Sequence, residues 1–278
     1  MSRGARIAVL LQRLTARPGV LVPLSELGMG LDSAKSTLSE DLTIARRALE
    51  DSGGGRIESV PGPAGGLRYL PVYSGPQLAS AVATLADVLG HADRILPGGF
   101  VFMTDVLFSP HWSRIIGECF ATVFLRERAD VVVTVETKGI PIALMTARAL
   151  GLPLVVARRD ARVTEGPSVS INYVSGSSGS IHTMSVPRRA LHAGARALVI
   201  DDFMKAGGTA AGLVRLLAEV GVSPAGVGVV VSTQLPMNKR VDDYRTLLVL
   251  GHLSDQAPGI PLRVAGWIEA RIEEAAPS

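Results

Sequence analysis

Ala197-Leu198-Val199-Ile200-Asp201-Asp202-Phe203-Met204-Lys205-Ala206-Gly207-Gly208-Thr209 is the stretch of the 278-residue chain that decides its fold. Four consecutive apolar residues predict a strand buried on both faces. Two carboxylates end it, and small residues then open a helix over 209–220. The amides of Gly207, Gly208 and Thr209 at a helix N-terminus suit a phosphate, which gains unpaired N–H donors and the helix dipole. Asp201 and Asp202 cannot bind that phosphate. They suit vicinal sugar hydroxyls, or a metal ion on a sugar diphosphate. Phosphate on one side and hydroxyl acceptors on the other describe a ribose 5-phosphate.

Working outward, residues 131–135, 154–157 and 227–231 are further buried-strand runs. Helical stretches lie at 140–150 and 209–220. The alternation predicts an α/β domain, a parallel sheet with helices on both faces. Residues 163–187, rich in Ser, Gly and strand formers, read as an antiparallel flap with its hairpin tip at 175–180.

Upstream, the pattern changes. Ile7, Leu10, Leu11 and Leu14 recur at helical spacing until Pro18-Gly19. A short second helix covers 23–27. Asp32 or Ser33 can cap a third that runs to about Glu50, with an apolar stripe of Leu38, Leu42, Ala45 and Leu49. Residues 56–60 and 67–70 alternate around a Gly/Pro turn and predict a hairpin. Three helices and a hairpin make a winged helix-turn-helix. Composition shifts near residues 74–76, which sets two domains, 1–74 and 75–278. A helix in the major groove must present short polar and basic groups near its N-terminal end. Ser33, Lys35, Ser36 and Ser39 do so. Arg3, Arg6, Arg56 and Arg68 lie on flanking elements and suit DNA phosphates. A solvated amphipathic face is the other reading of the same helix.

Composition narrows the class without choosing a function. Hydrophobic residues are 47% and charged residues 19% of the chain, which supplies a core and excludes a supercharged disordered chain. The single cysteine, Cys119, excludes an intramolecular disulfide and a Cys-rich zinc module. Apolar runs fall far short of the ~18 residues of a membrane span. No signal peptide is read at the N-terminus, so a cytoplasmic location is expected. The net charge of +3 decides little, with nine Lys/Arg against seven Asp/Glu in residues 1–74.

The 197–209 loop resembles the 5-phosphoribosyl-1-pyrophosphate (PRPP) motif of type I phosphoribosyltransferases. Ala206 stands where a hydroxyl residue is common, which removes one side-chain donor and leaves the backbone donors. The resemblance implies that Thr137, Lys138 and Gly139 form the pyrophosphate loop, with Lys138 as its cation. A solvated turn lysine is the alternative. Arg158 and Arg159 could add charge over the diphosphate or be a solvated pair. Lys205 is expected to face the ligand. Phe100 and Phe203 could stack on ribose or base, or be packing. The 163–187 flap is similar to the hood of purine-type enzymes.

Longer runs resemble the PurR-type bacterial purine-operon repressors, which pair a winged helix with a phosphoribosyltransferase-like effector domain. They are 33–36, 39–44, 60–66, 95–100, 137–141, 163–166, 169–178 and 200–209. Phe100 stands where that family is expected to carry tyrosine. The resemblance implies a homodimeric repressor that binds double-stranded operator DNA, is released by PRPP and is catalytically inactive. It leaves room for Mg²⁺ arriving with PRPP and for a competing guanosine polyphosphate such as ppGpp. No standing metal site is expected. An active purine phosphoribosyltransferase with an N-terminal regulatory domain is the alternative. A DNA-binding activator or architectural protein that merely retains the pocket is a third reading.

Overall fold

The computed structural model describes residues 1–96, 100–159, 166–174, 180–252 and 259–275. The chain opens with α1 (Arg3–Thr15), whose N-terminus is capped by the Ser2 hydroxyl accepting from the Ala5 amide. A short α2 (Leu24–Leu27) and a long α3 (Lys35–Asp51) follow. Leu10, Leu14, Leu27, Leu38, Leu42 and Ala45 close one small core. The expected cap of α3 is not made. Ala34 holds the cap position, Asp32 turns through a left-handed φ of 44°, and the Ser33 hydroxyl donates instead to the Leu31 carbonyl at 3.0 Å. Strands β1 (Arg56–Val60) and β2 (Gly66–Leu70) pair antiparallel, Arg56 opposite Leu70. Val22 and Leu67 exchange both backbone hydrogen bonds, at 2.8 and 2.9 Å, and tie the hairpin to the helices. This is the winged helix-turn-helix that the pattern predicts.

Ser74 and Gln77 form a capping box at the start of α4 (Gly75–Leu89). Then come the short β3 (Ile95–Leu96), β4 (Phe100–Val101) and α5 (Thr104–Leu107), and the long α6 (Pro110–Phe124). The α/β core consists of β5 (Val131–Val135), α7 (Gly139–Leu150), β6 (Leu154–Ala157), the hairpin β7 (Ser168–Val174) and β8 (Ile181–Pro187), β9 (Arg196–Met204), α8 (Gly208–Glu219), β10 (Ser223–Thr233) and β11 (Arg245–Leu250). A short β12 (Leu262–Val264) and α9 (Gly266–Ala275) end it.

The sheet order is β12-β11-β10-β9-β5-β6, parallel except for β12 at the edge. Leu198 and Ile200 face a core built with α4, α6, α7 and α9, whereas Ala197 and Val199 face one built with α8 and the β7–β8 hairpin. Both faces are therefore dry, which is why these strands read as unbroken apolar runs. The predicted flap is present as β7–β8, with Tyr173 and Met184 buried in the α8-side core. Its tip at 175–179 and residues 163–165 lie outside the described residues, as do 97–99. Among the described residues no helix is long and apolar enough to cross a membrane.

Candidate functional site

The acid pair does not end its strand. β9 runs through Asp201 and Asp202 to Met204, paired to β10 as far as Ser232–Met204. The sequence misplaces this end because polar residues at the carboxyl edge of a buried strand look like a turn. Gly207 then adopts φ +77° and caps α8 with no side-chain hydrogen bond. The first amides of α8 are thus left to an outside acceptor. Asp201, Phe203, Met204, Lys205, Ala206, Gly207, Gly208 and Thr209 line one small pocket of about 70 Å³ with Ala210. This is the crevice beyond the carboxyl ends of parallel strands, where α/β folds bind ligands.

The carboxylates strain against each other. Burial, and then the charge of Asp202, push Asp201 well above the ordinary carboxylate range. Burial also raises Asp202, opposed by its contact with Asp201 and by the charge of Lys138. The Asp202 amide donates to Asp201 Oδ1 at 2.9 Å. A pair held in this way gains from sugar hydroxyl donors, or from a cation arriving with a ligand.

The structure brings the second loop to the same place. Gly139 begins α7 beside Asp201, and Thr137 and Lys138 are exposed next to it. The Glu136–Thr137 peptide is cis. Glu136 gathers the end of β6: its Oε1 accepts from the Arg159 amide at 2.7 Å, and its Oε2 lies 3.8 Å from an Arg158 guanidinium nitrogen. Phe203 is half-buried in the pocket wall, and the Phe100 backbone lies in β4.

Lys239 and Arg240 were not read from the sequence. The Lys239 ammonium donates to the Lys205 carbonyl and, at 2.7 Å, to the Thr233 carbonyl. The Arg240 amide donates to the Ala206 carbonyl at 2.9 Å. The 205–209 loop is therefore braced from 34 residues downstream. The available signal was the cationic pair soon after β10, on the strand edge that already carries the pocket.

On the reader, Lys35, Ser36 and Ser39 share the exposed start of α3, and Ser39 donates back to the Lys35 carbonyl at 2.9 Å. Arg3 and Arg6 are not simply presented to solvent. Both grip Asp41, at 3.0 and 2.8 Å, and the Arg6 side chain is only 13% exposed. Arg56 and Arg68 pair with Glu58 at 2.6 and 2.7 Å. With Arg126 and Arg128 they line a cleft of about 540 Å³ between the hairpin and the second domain.

Two family models match the chain: the bacterial purine repressor N-terminal domain over residues 2–71 and the phosphoribosyl transferase domain over 108–250. The chain is 43% identical over 266 residues to the purine biosynthesis transcriptional repressor PurR of Bacillus subtilis, covering 96% of this chain and 93% of that one. It is 37% identical over 248 residues to the purine biosynthesis transcriptional activator PurR of Lactococcus lactis, covering 89% and 92%. Among solved structures, adenine phosphoribosyltransferase from Rhodothermus marinus superposes with a TM-score of 0.51 at 24% identity, covering 62% of this chain and 99% of that one, a likeness of fold. Sustained identity across both matched domains places this protein in the PurR family of bacterial purine biosynthesis transcriptional regulators.

Proposed function

We propose that the protein represses purine biosynthesis genes by binding operator DNA through its winged helix, and that PRPP in a non-catalytic pocket releases it. The observation that carries this reading is the acid pair and uncapped α8 terminus in a domain fused to a DNA reader. PRPP offers both halves of the matching chemistry, hydroxyl donors for Asp201 and Asp202 and a 5-phosphate for the Gly207–Thr209 amides. Its diphosphate then meets Thr137, Lys138 and Gly139. Among the described residues no cluster of His, Cys, Asp or Glu could hold a metal by itself. The two carboxylates are hard oxygen donors that fit Mg²⁺ only as part of a shell completed by the diphosphate. A guanosine polyphosphate such as ppGpp would compete for the same amides. We place the protein in the cytoplasm as a homodimer, which suits two-fold symmetric operators.

The test is an operator gel shift with and without PRPP. Loss of the shifted band on adding PRPP is the expected result, and a band indifferent to millimolar PRPP refutes release. Nucleotide formation from PRPP, Mg²⁺ and a purine base at enzyme-like rates would favour the transferase reading. The Lactococcus relative is named an activator, so the sign of control is checked by transcript levels. They rise on deletion of a repressor and fall on deletion of an activator.

A further inference from the structure

Helix α7 reaches from the pocket to the reader. At its first residue, Gly139, a β-carbon would lie 3.4 Å from Asp201 Oδ1. The helix ends at Leu150, and its cap Gly151 lies twelve residues on from Gly139, about 18 Å away at 1.5 Å per residue. There Gly151 turns through φ +69°. A β-carbon on Gly151 would fall 2.7 Å from the Gly19 oxygen and 2.9 Å from its Cα, and one on Gly19 would strike the Gly151 nitrogen and the Leu150 backbone. Gly19 is buried at φ +75°, and its amide donates to the Tyr69 carbonyl of β2 at 2.8 Å. Backbone lies on backbone here, and neither side admits a side chain. The middle of α7 is also gripped, with Ile142, Ala143, Thr146 and Ala147 buried. Leu144 and Arg148 on the opposite side are exposed, so the grip runs along one face of the helix.

The geometry points to α7 as the element that carries occupancy of the pocket to the reader, with Gly19 and Gly151 as the positioning residues at its far end. The inference rests on the proposed function, in which PRPP lowers operator affinity. A diphosphate that draws in residues 137–139 displaces the start of α7. The packed helix passes the displacement to Gly151, which bears on Gly19 and through it on Tyr69. The hairpin then shifts against α3, and the free and DNA-bound states differ in affinity for PRPP as linkage requires.

The experiment uses the full chain and measures operator Kd with and without saturating PRPP, and PRPP Kd by calorimetry. The variants are Gly19→Ala and Gly151→Ala. Gly194→Ala is the control: its φ is +86°, yet nothing lies within 4 Å of the added carbon, so it carries backbone strain without the contact. In the wild type and the control, PRPP should raise operator Kd by roughly 5- to 150-fold, the usual range of such couplings. Gly19→Ala and Gly151→Ala should bind PRPP within about 3-fold of wild type while the operator shift falls toward about 1-fold. A full shift in folded Gly19→Ala and Gly151→Ala overturns the inference. If neither variant folds, hydrogen exchange in the wild type decides. PRPP must change protection at the amides of Gly19, Gly151 and Leu152, and unchanged protection overturns it. A wild type that binds PRPP without any operator shift overturns the proposed function, a failure visible before any variant is made.

Discussion

Asp41 has no exposed surface, yet it sits on the helix that presents Lys35, Ser36 and Ser39. Its carboxylate is kept below the usual range by the Arg6 hydrogen bond and charge, with Arg3 adding to both. The two arginines that sequence reasoning gave to DNA phosphates thus anchor α1 to α3. A depressed carboxylate contributes stability above its unfolded value near 3.8, and that contribution is lost as pH falls through the lower folded value. Arg6→Ala leaves a buried charge half-compensated. It should cost about 1.5 kcal/mol or more, the usual worth of a hydrogen bond to a charged group, because Arg3 still serves one oxygen. Urea unfolding followed on the reader checks this, and a loss under about 1 kcal/mol would mark an ordinary surface pair. The pocket acids carry the opposite sign. Their raised folded values stabilise the protonated form, so this contribution is present at low pH and lost as pH rises through them. Near neutral pH the pair works against the fold. Asp201→Asn should raise unfolding free energy by about 1 kcal/mol and abolish the PRPP response. Thermal melts at pH 5 and pH 8 check the sign, because the gain must be larger at pH 8.

At the scale of elements, legibility followed burial. Val131–Val135 is buried at every position, and such a run reads as a strand by itself. The stripe Leu38, Leu42 and Ala45 announced α3 for the same reason. What stayed hidden was whatever tertiary contact decides. β12 has three residues and exists only as an edge partner of β11. The ends of β9 and α3 were missed because Asp201 and Ser33 look like turn and cap residues until their neighbours are known. The site was half legible in the same way. Its acids and glycines are contiguous, whereas Lys239 arrives from another loop. Burial lowers the Lys239 pKa, so the hydrogen bonds that hold its ammonium matter more than those of an exposed lysine. Lys239→Ala should free the Lys205 and Thr233 carbonyls and loosen the phosphate loop. We expect PRPP Kd to rise roughly tenfold, the equivalent of one charge-assisted hydrogen bond. Calorimetry measures it, and an unchanged Kd would show that the loop is held without the brace.

Across the whole molecule, two accounts of the proposed release compete: repulsion between PRPP and DNA charges, and a change of shape. Magnitudes show where they part. The ends of α7 are about 18 Å apart, with the pocket at one end and the Gly19 contact at the other. Two unit charges at that distance in water interact by about 0.2 kcal/mol. A Debye length of about 8 Å at physiological salt removes most of that. One charge on the sugar diphosphate acting on one DNA phosphate at that distance thus contributes far less than the 1–3 kcal/mol typical of coupled sites, and repulsion gains weight only as many such pairs add. A packed helix is not screened at all. The two accounts therefore separate under salt. Between 50 and 200 mM salt, operator affinity should fall by about 10³-fold or more if six or more phosphates are neutralised. The factor by which PRPP weakens that affinity should change by less than about 2-fold over the same range, because it is set by packing rather than by charge. Parallel operator titrations at 50, 100 and 200 mM salt, each with and without saturating PRPP, measure both slopes. A PRPP factor that decays toward one in step with the salt-dependent affinity would return the mechanism to direct repulsion and leave α7 a structural helix only.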